Sequence, residues 1–199
     1  MTYIKQNDLI AIRDNYKKFI DSCMCNNEFK LTPNSEVSPY ALCFAIFGYH
    51  LIKDKDMIDK NKEIWVNYLI NNLNSVKINI MSADNLILSK PYLQLLTFSL
   101  SALKILDALD NPSVKSHILP LLDYDIETLL KNLNVSNGNP GSGNMAMFWA
   151  IIHIHAKEIL NIDTDDSIKR WLKFHKNSMN KFSFWGNYKA MNYLMFQNG

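Results

Sequence analysis

The sequence predicts an all-α fold, an array of α/α hairpins, and three observations carry that expectation. Apolar helices recur with starts near positions 40, 92, 144 and 188, spaced by about 52, 52 and 44 residues, the mark of stacked supersecondary units. Each is preceded by a helix with a single apolar stripe. No alternating strand pattern is sustained; Val76-Lys77-Ile78-Asn79-Ile80 supports at most a short extended stretch.

The one-striped helices are expected on the outside, each covering an inner neighbour. Their stripes are Leu9, Ile12, Tyr16, Phe19, Ile20 and Cys23, then Trp65, Tyr68, Leu69, Leu73 and Val76. The third is Ile126, Leu129, Leu130 and Leu133, the fourth Ile168, Trp171, Leu172 and His175. The inner members run through Tyr40–Phe47, Tyr92–Leu100 and Asn144–Ile151, with a shorter one from Tyr188. Apolar on nearly every face, they are expected to be buried on every face. Pro39 and Pro91 fall in the first turns of inner helices, where a missing N–H costs nothing. Asp165, or Asp166 with Ser167, is placed to cap the fourth outer helix, and Asn111-Pro112 opens a short segment. Pro120 should split region 112–134, with the second piece starting near Asp123. The loops 28–38, 77–90, 135–143 and 180–187 are long for helix–helix connections, and such loops commonly carry binding residues.

With 199 residues the default is a single domain with a sizeable core. A formal net charge of +2 gives no reason to expect nucleic acid or an anionic membrane. Cys23, Cys25 and Cys43 form neither a disulfide framework nor a zinc-site spacing. The N-terminus lacks an apolar signal region and no apolar run reaches bilayer length, so a cytoplasmic protein is expected. No metal or cofactor is expected.

Alternating outer and inner helices in blocks of this size resemble the α/α toroids: class II terpenoid cyclases, protein prenyltransferase β subunits, lanthionine cyclases and six-hairpin glycosidases and lyases. The resemblance implies a partial toroid of about four hairpins. That makes it an open arc, an assembly closed by self-association, or the first part of a longer toroid. Asp163-Thr164-Asp165-Asp166 matches the cyclases' D-x-D-D, and the resemblance makes these acids the proton donors to an isoprenoid double bond. The residues themselves also read as a capping cluster complementing the dipole of the following helix. Trp171-Leu172 and Phe182-Ser183-Phe184-Trp185-Gly186 are the nearest approach to the cyclases' Q-x-x-x-G-x-W, with Lys176 and Asn180 departing from it.

The remaining candidates point to binding. Asn137–Asn144 is glycine-rich and runs into an inner helix, so N–H groups at Ser142, Gly143 and Asn144 can hold an anion or simply form a turn. Tyr40, Tyr92 with Gln94, Trp149 and Tyr188 lie near inner-helix starts, where aromatic faces can stack on a sugar ring or an isoprenoid. His153 and His155, two apart, point in different directions, and His153 joins the candidate set. Acids are nearly absent from the inner helices, whereas glycosidases need two inward carboxylates. The expected function is therefore a non-catalytic or incomplete toroid module that binds a glycan or other polar small molecule at a concave mouth. The alternatives are an isoprenoid-handling cyclase fragment and a helical-repeat scaffold for another protein, with self-association into a homo-oligomer open in each case.

Overall fold

A computed structural model describes residues 6–76, 90–133 and 140–179. Among them the fold is all-α. Eight helices are α1 (Gln6–Ser22), α2 (Pro39–Leu51), α3 (Lys55–Ser75), α4 (Lys90–Ile105), α5 (Pro112–Ile118), α6 (Ile126–Asn132), α7 (Pro140–Leu160) and α8 (Asp165–Ser178). A 3₁₀ turn, Leu119–Leu121, follows α5, and a two-stranded ribbon pairs β1 (Met24–Cys25) with β2 (Glu28–Phe29). No helix in the described residues is long and apolar enough to cross a membrane.

The residues group into two compact units. Among the described residues, unit 1 comprises 6–76 and 98–109, and unit 2 comprises 90–97, 110–133 and 140–179. Local chemistry sets most helix starts. Ser38 accepts a hydrogen bond from the Ala41 N–H and Pro39 occupies the first turn of α2. Asp54, Asn111 and Asp125 accept from the N–H groups of Met57, Ser113 and Thr128 in the same way.

In unit 1, α2 packs against α3, joined to it by residues 52–54, and also against α1 and β2. The core centres on Trp65, Tyr49 and Phe29, all essentially inaccessible. Trp65 stacks on Tyr49 at 5.9 Å and meets the Phe29 ring edge-on at 5.7 Å. The ribbon that delivers Phe29 turns on Asn26 and Asn27, both at positive φ (52° and 66°). Two left-handed residues make the type I′ geometry that matches strand twist, and Asn tolerates it. In unit 2, α8 packs on α6 and α7, and α5 packs on α7. Leu93, Leu96, Val114, Ile118, Leu130, Trp149 and Ile152 fill its interior.

Several boundaries differ from expectation. Helix α7 starts at Pro140, so Ser142, Gly143 and Asn144 form its first turns instead of ending a loop. α6 begins at Ile126, after the 3₁₀ turn built around Pro120 and a little beyond the expected start near Asp123, because Asp125 supplies the cap. The cap of α8 is Thr164, whose hydroxyl turns away to the His153 carbonyl (2.7 Å), while Asp163 accepts from the Asp165 N–H.

The largest departure concerns burial. Of the six-residue stripe on α1, only Ile20 and Cys23 are buried. Every residue from Asp8 to Tyr16 is exposed, Leu9 and Ile12 by more than half. Helices expected to be dry all round also keep an open side: Phe44 and Leu51 on α2, Met147 and Ile154 on α7 are exposed.

Candidate functional site

The described candidate residues are divided between the two units, Tyr40 in unit 1 and the others in unit 2. Trp149, His153 and Tyr92 are buried in unit 2, at 0%, 3% and 5% exposure, so their faces are packed against protein and offer no stacking platform. Tyr40 in unit 1 is half-buried with its ring edge-on to Phe98 at 6.1 Å. Gln94 and Ser142 are half-buried, while Gly143 and Asn144 are exposed. A Cβ built on Gly143 meets nothing within 4 Å, so sterics do not dictate glycine there. Tyr188, with the loops 77–89, 134–139 and 180–187, lies outside the described residues.

The acidic run sits on the surface. Asp163, Asp165 and Asp166 are all exposed. Lys157 holds Asp165 through two hydrogen bonds of 2.7 and 2.8 Å, and its proximity keeps that carboxyl below the ordinary range. Asp166 pairs with Arg170 at 3.0 Å. A general acid must retain its proton, which requires a shift the other way. Exposure and these ion pairs make the run a charged lead-in to α8. Asp125 is a comparable case: the Thr128 N–H and then the Arg170 guanidinium bring its carboxyl down to about 2, tying the cap of α6 to α8.

The histidines of unit 2 have packing roles. His153 Nδ1 lies 2.8 Å from the Trp149 carbonyl, so Nδ1 carries the hydrogen. Tyr92 Oη and His117 Nδ1 are 2.8 Å apart, and His175 packs on the Trp171 ring at 4.1 Å. Burial lowers the pKa of His117, His153 and His175 below 6.5, with Arg170 adding to the effect at His153. The folded state thus resists protonation where the unfolded chain accepts it. Their stabilising contribution is complete above pH 6.5 and is lost as pH falls through the folded values. The shifted carboxylates, Asp54, Asp125 and Asp165, act only below about pH 4. Thermal melts followed by circular dichroism should therefore weaken between about pH 7 and pH 5, ahead of the acid transition. A melting temperature constant from about pH 8 to pH 5 would refute this.

A different site stands out in unit 1, one that no catalytic or ligand-binding motif announces. A cleft of about 70 Å³ opens where α1, the ribbon and α2 meet. Buried Ile20, Cys23, Phe29, Ala41 and Ala45 form its floor. Its edge is Tyr16, Phe19, Leu31 and Phe44, all exposed, with half-buried Lys30 the one cation among the lining residues. Phe44 is braced edge-on by Phe47 at 6.2 Å and Phe98 at 5.4 Å, so it is presented rigidly despite 47% exposure. The signal for this site in the sequence is the stripe of α1 itself. The stripe is legible; that no described element covers it is not.

A second depression of about 390 Å³ is polar, lined by Arg13, Lys17, Lys53 and Lys55 against Asp14, Asp54 and Asp56, with Ile10. Lys17 already pairs with Asp54, and Lys55 with Asp59. Near-balanced, internally paired charge gives it little pull on an ion. Among the described residues no group of three or more His, Cys, Asp or Glu is placed to hold a metal. The chain matches no protein-family model, no curated protein and no solved structure.

Proposed function

We propose that the chain is a non-catalytic interaction module, a helical scaffold whose working surface is the aromatic-edged cleft of unit 1. The observation that carries this is the exposure of Phe19 (49%), Leu31 (51%) and Phe44 (47%) around a small apolar hole. Small-molecule pockets enclose about 300–1,000 Å³, so a cleft of about 70 Å³ fits one inserted side chain better than a glycan or a prenyl chain. Rigid aromatic groups around a desolvated hole are the usual anatomy of an interface hot spot. An α/α-hairpin array is the scaffold we infer for it, with α2 and α3 as its best-defined pair.

The test places a photo-crosslinking amino acid at position 44, and at exposed Glu63 on α3 as a control. Irradiated cells should give a protein adduct at position 44 and none at 63, with the adduct identified by mass spectrometry. Absence of any protein adduct at position 44 overturns the reading.

A further inference from the structure

Helix α1 is held on unit 1 by few contacts. Of its described side chains, Asp8 to Ser22, Ile20 alone is buried; Lys17 and Asp21 are half-buried and the others exposed. Seven of the 13 residues of α2, against which α1 packs, are buried. A helix in water draws most of its stability from the face it packs. Segments with few buried contacts open locally, at a fraction of the cost of global unfolding.

What holds α1 lies in its last two turns. Its seat is the row of small residues Ala41, Ala45 and Gly48 on α2. Ala41 and Ala45 line the cleft floor with Ile20, and a Cβ on Gly48 would come within 2.5 Å of Ile20 Cδ1 and 3.1 Å of Tyr16 Oη. Beside the seat, the Lys17 ammonium pairs with Asp54, the cap of α3, and lies 3.7 Å from Asp21. It stands 5.4 Å from the centre of the Tyr49 ring, whose hydroxyl donates to Asp21 at 2.7 Å. One cation thus joins α1 both to the α2–α3 junction and to a ring of α2. Lys17 and Asp54 each favour the charged form of the other, which raises the lysine pKa and lowers that of the carboxyl. At the end of α1 the Cys23 carbonyl accepts from the Lys30 N–H at 2.9 Å, which fixes the base of the helix to the ribbon.

We propose that α1 is a strap clasped by Lys17: when the clasp lets go, α1 swings about its base and the cleft widens. The inference rests on the reading of the cleft as the working surface and supplies its regulation. Tyr16, Phe19 and Ile20 form the α1 side of the cleft, and Ala41, Phe44 and Ala45 the α2 side. A swing of α1 carries the first set away from the second. It turns a hole for one side chain into a groove along the row of small residues. The clasp is open to solvent: the Lys17, Asp21 and Asp54 side chains are 41%, 38% and 17% exposed, so dissolved salt weakens the pairing.

Two native thiols report the swing. Cys23 is 4% exposed, with Phe19 and Ile20 four and three residues before it on the same side of the helix. Cys43 is wholly enclosed in α2, and burial pushes its thiol up to about 12, so it reacts only when the whole unit unfolds. The full chain carrying Cys25→Ser, which removes the exposed thiol, is labelled with iodoacetamide and read by mass spectrometry. Cys23 should react at least about tenfold faster than Cys43, and its rate should rise between about 0.05 and 0.5 M sodium chloride. Lys17→Met should raise the Cys23 rate roughly three- to tenfold at low salt, flatten its salt dependence and leave Cys43 unchanged. Lys17→Arg, which keeps the charge, should stay near wild type. One common rate for the two thiols, a Lys17→Met rate equal to wild type, or an equal rise at both thiols overturns the strap.

The crosslinking experiment separates the two levels. Lys17→Met should increase the adduct at position 44. An adduct of unchanged yield removes the regulation and keeps the interaction module. No protein adduct at position 44 removes the module and the regulation with it, whatever the thiols show.

Discussion

Trp65→Ala should cost unit 1 about 3–5 kcal/mol, the usual range for truncating a fully buried Trp. The indole is wholly enclosed, with the Tyr49 ring stacked on it and Phe29 edge-on. Three partners from three elements meet there: α3 supplies Trp65, α2 supplies Tyr49, and the ribbon supplies Phe29. Relaxation into the vacated space is blocked, because Tyr49 is held by the hydrogen bond it donates to Asp21 (2.7 Å) and Phe29 by the strand pairing of its own chain. A domain holds about 5–15 kcal/mol in total, so the loss is a large share of what unit 1 has. Urea titration followed by circular dichroism should show a lowered midpoint with the slope little changed. Ile12→Ala, on the open stripe, should stay within about 0.5 kcal/mol of wild type. Equal effects at the two positions would mean that the core of unit 1 lies elsewhere.

The contrast between Trp65 and Ile12 also marks where the sequence is readable. Periodicity locates helices because it reports which residues share a face, and α1, α3 and α8 fall where their stripes put them. It does not report whether another element reaches that face. Leu9, Ile12, Tyr16 and Phe19 recur at helical steps of three and four, and Trp65, Leu69 and Leu73 at steps of four, yet one set is open and the other sealed. The difference lies in tertiary neighbours: α3 lies against α2, whereas only the last turns of α1 do. The same limit governs the dry helices. Tyr40, Phe44, Phe47 and Leu51 form a stripe on α2 that remains partly or fully accessible, opposite a face that is completely buried.

Site residues are less legible than elements. The ribbon that supplies Phe29 has strands of two residues, too short for an alternation to register, although Asn26-Asn27 is a usable turn signal. Aromatic residues near inner-helix starts suggest a stacking platform, but aromatic side chains serve packing and recognition with the same chemistry, and only burial separates the two roles. Nothing in the neighbouring residues marks Thr164 or His117. Each acts through a long-range hydrogen bond, Thr164 to the His153 carbonyl and His117 to Tyr92, and such pairings leave no trace in local sequence.

Trp149 offers the second large effect and a sharper question, because its two halves should pull in opposite directions. The ring is fully enclosed in unit 2, flanked by Tyr124 at 5.9 Å and His153 at 6.4 Å, so Trp149→Ala should cost about 3–5 kcal/mol. Its Nε1–H, however, is buried and finds no acceptor among the described residues, unlike Trp171, whose Nε1–H donates to the Ala146 carbonyl at 3.0 Å. A buried donor without a partner costs about 1–3 kcal/mol. Trp149→Phe removes that donor and keeps a six-membered ring near the flanking aromatics, while leaving a void where the rest of the indole was. The gain and the void should nearly offset, placing Trp149→Phe within about 1 kcal/mol of wild type and well above Trp149→Ala. Trp171→Phe should gain nothing, because the donor it removes is satisfied and the Ala146 carbonyl is left without it. If Trp149→Phe instead falls as far as Trp149→Ala, the indole N–H is bonded in solution, and the packing of unit 2 around α7 must differ from this arrangement.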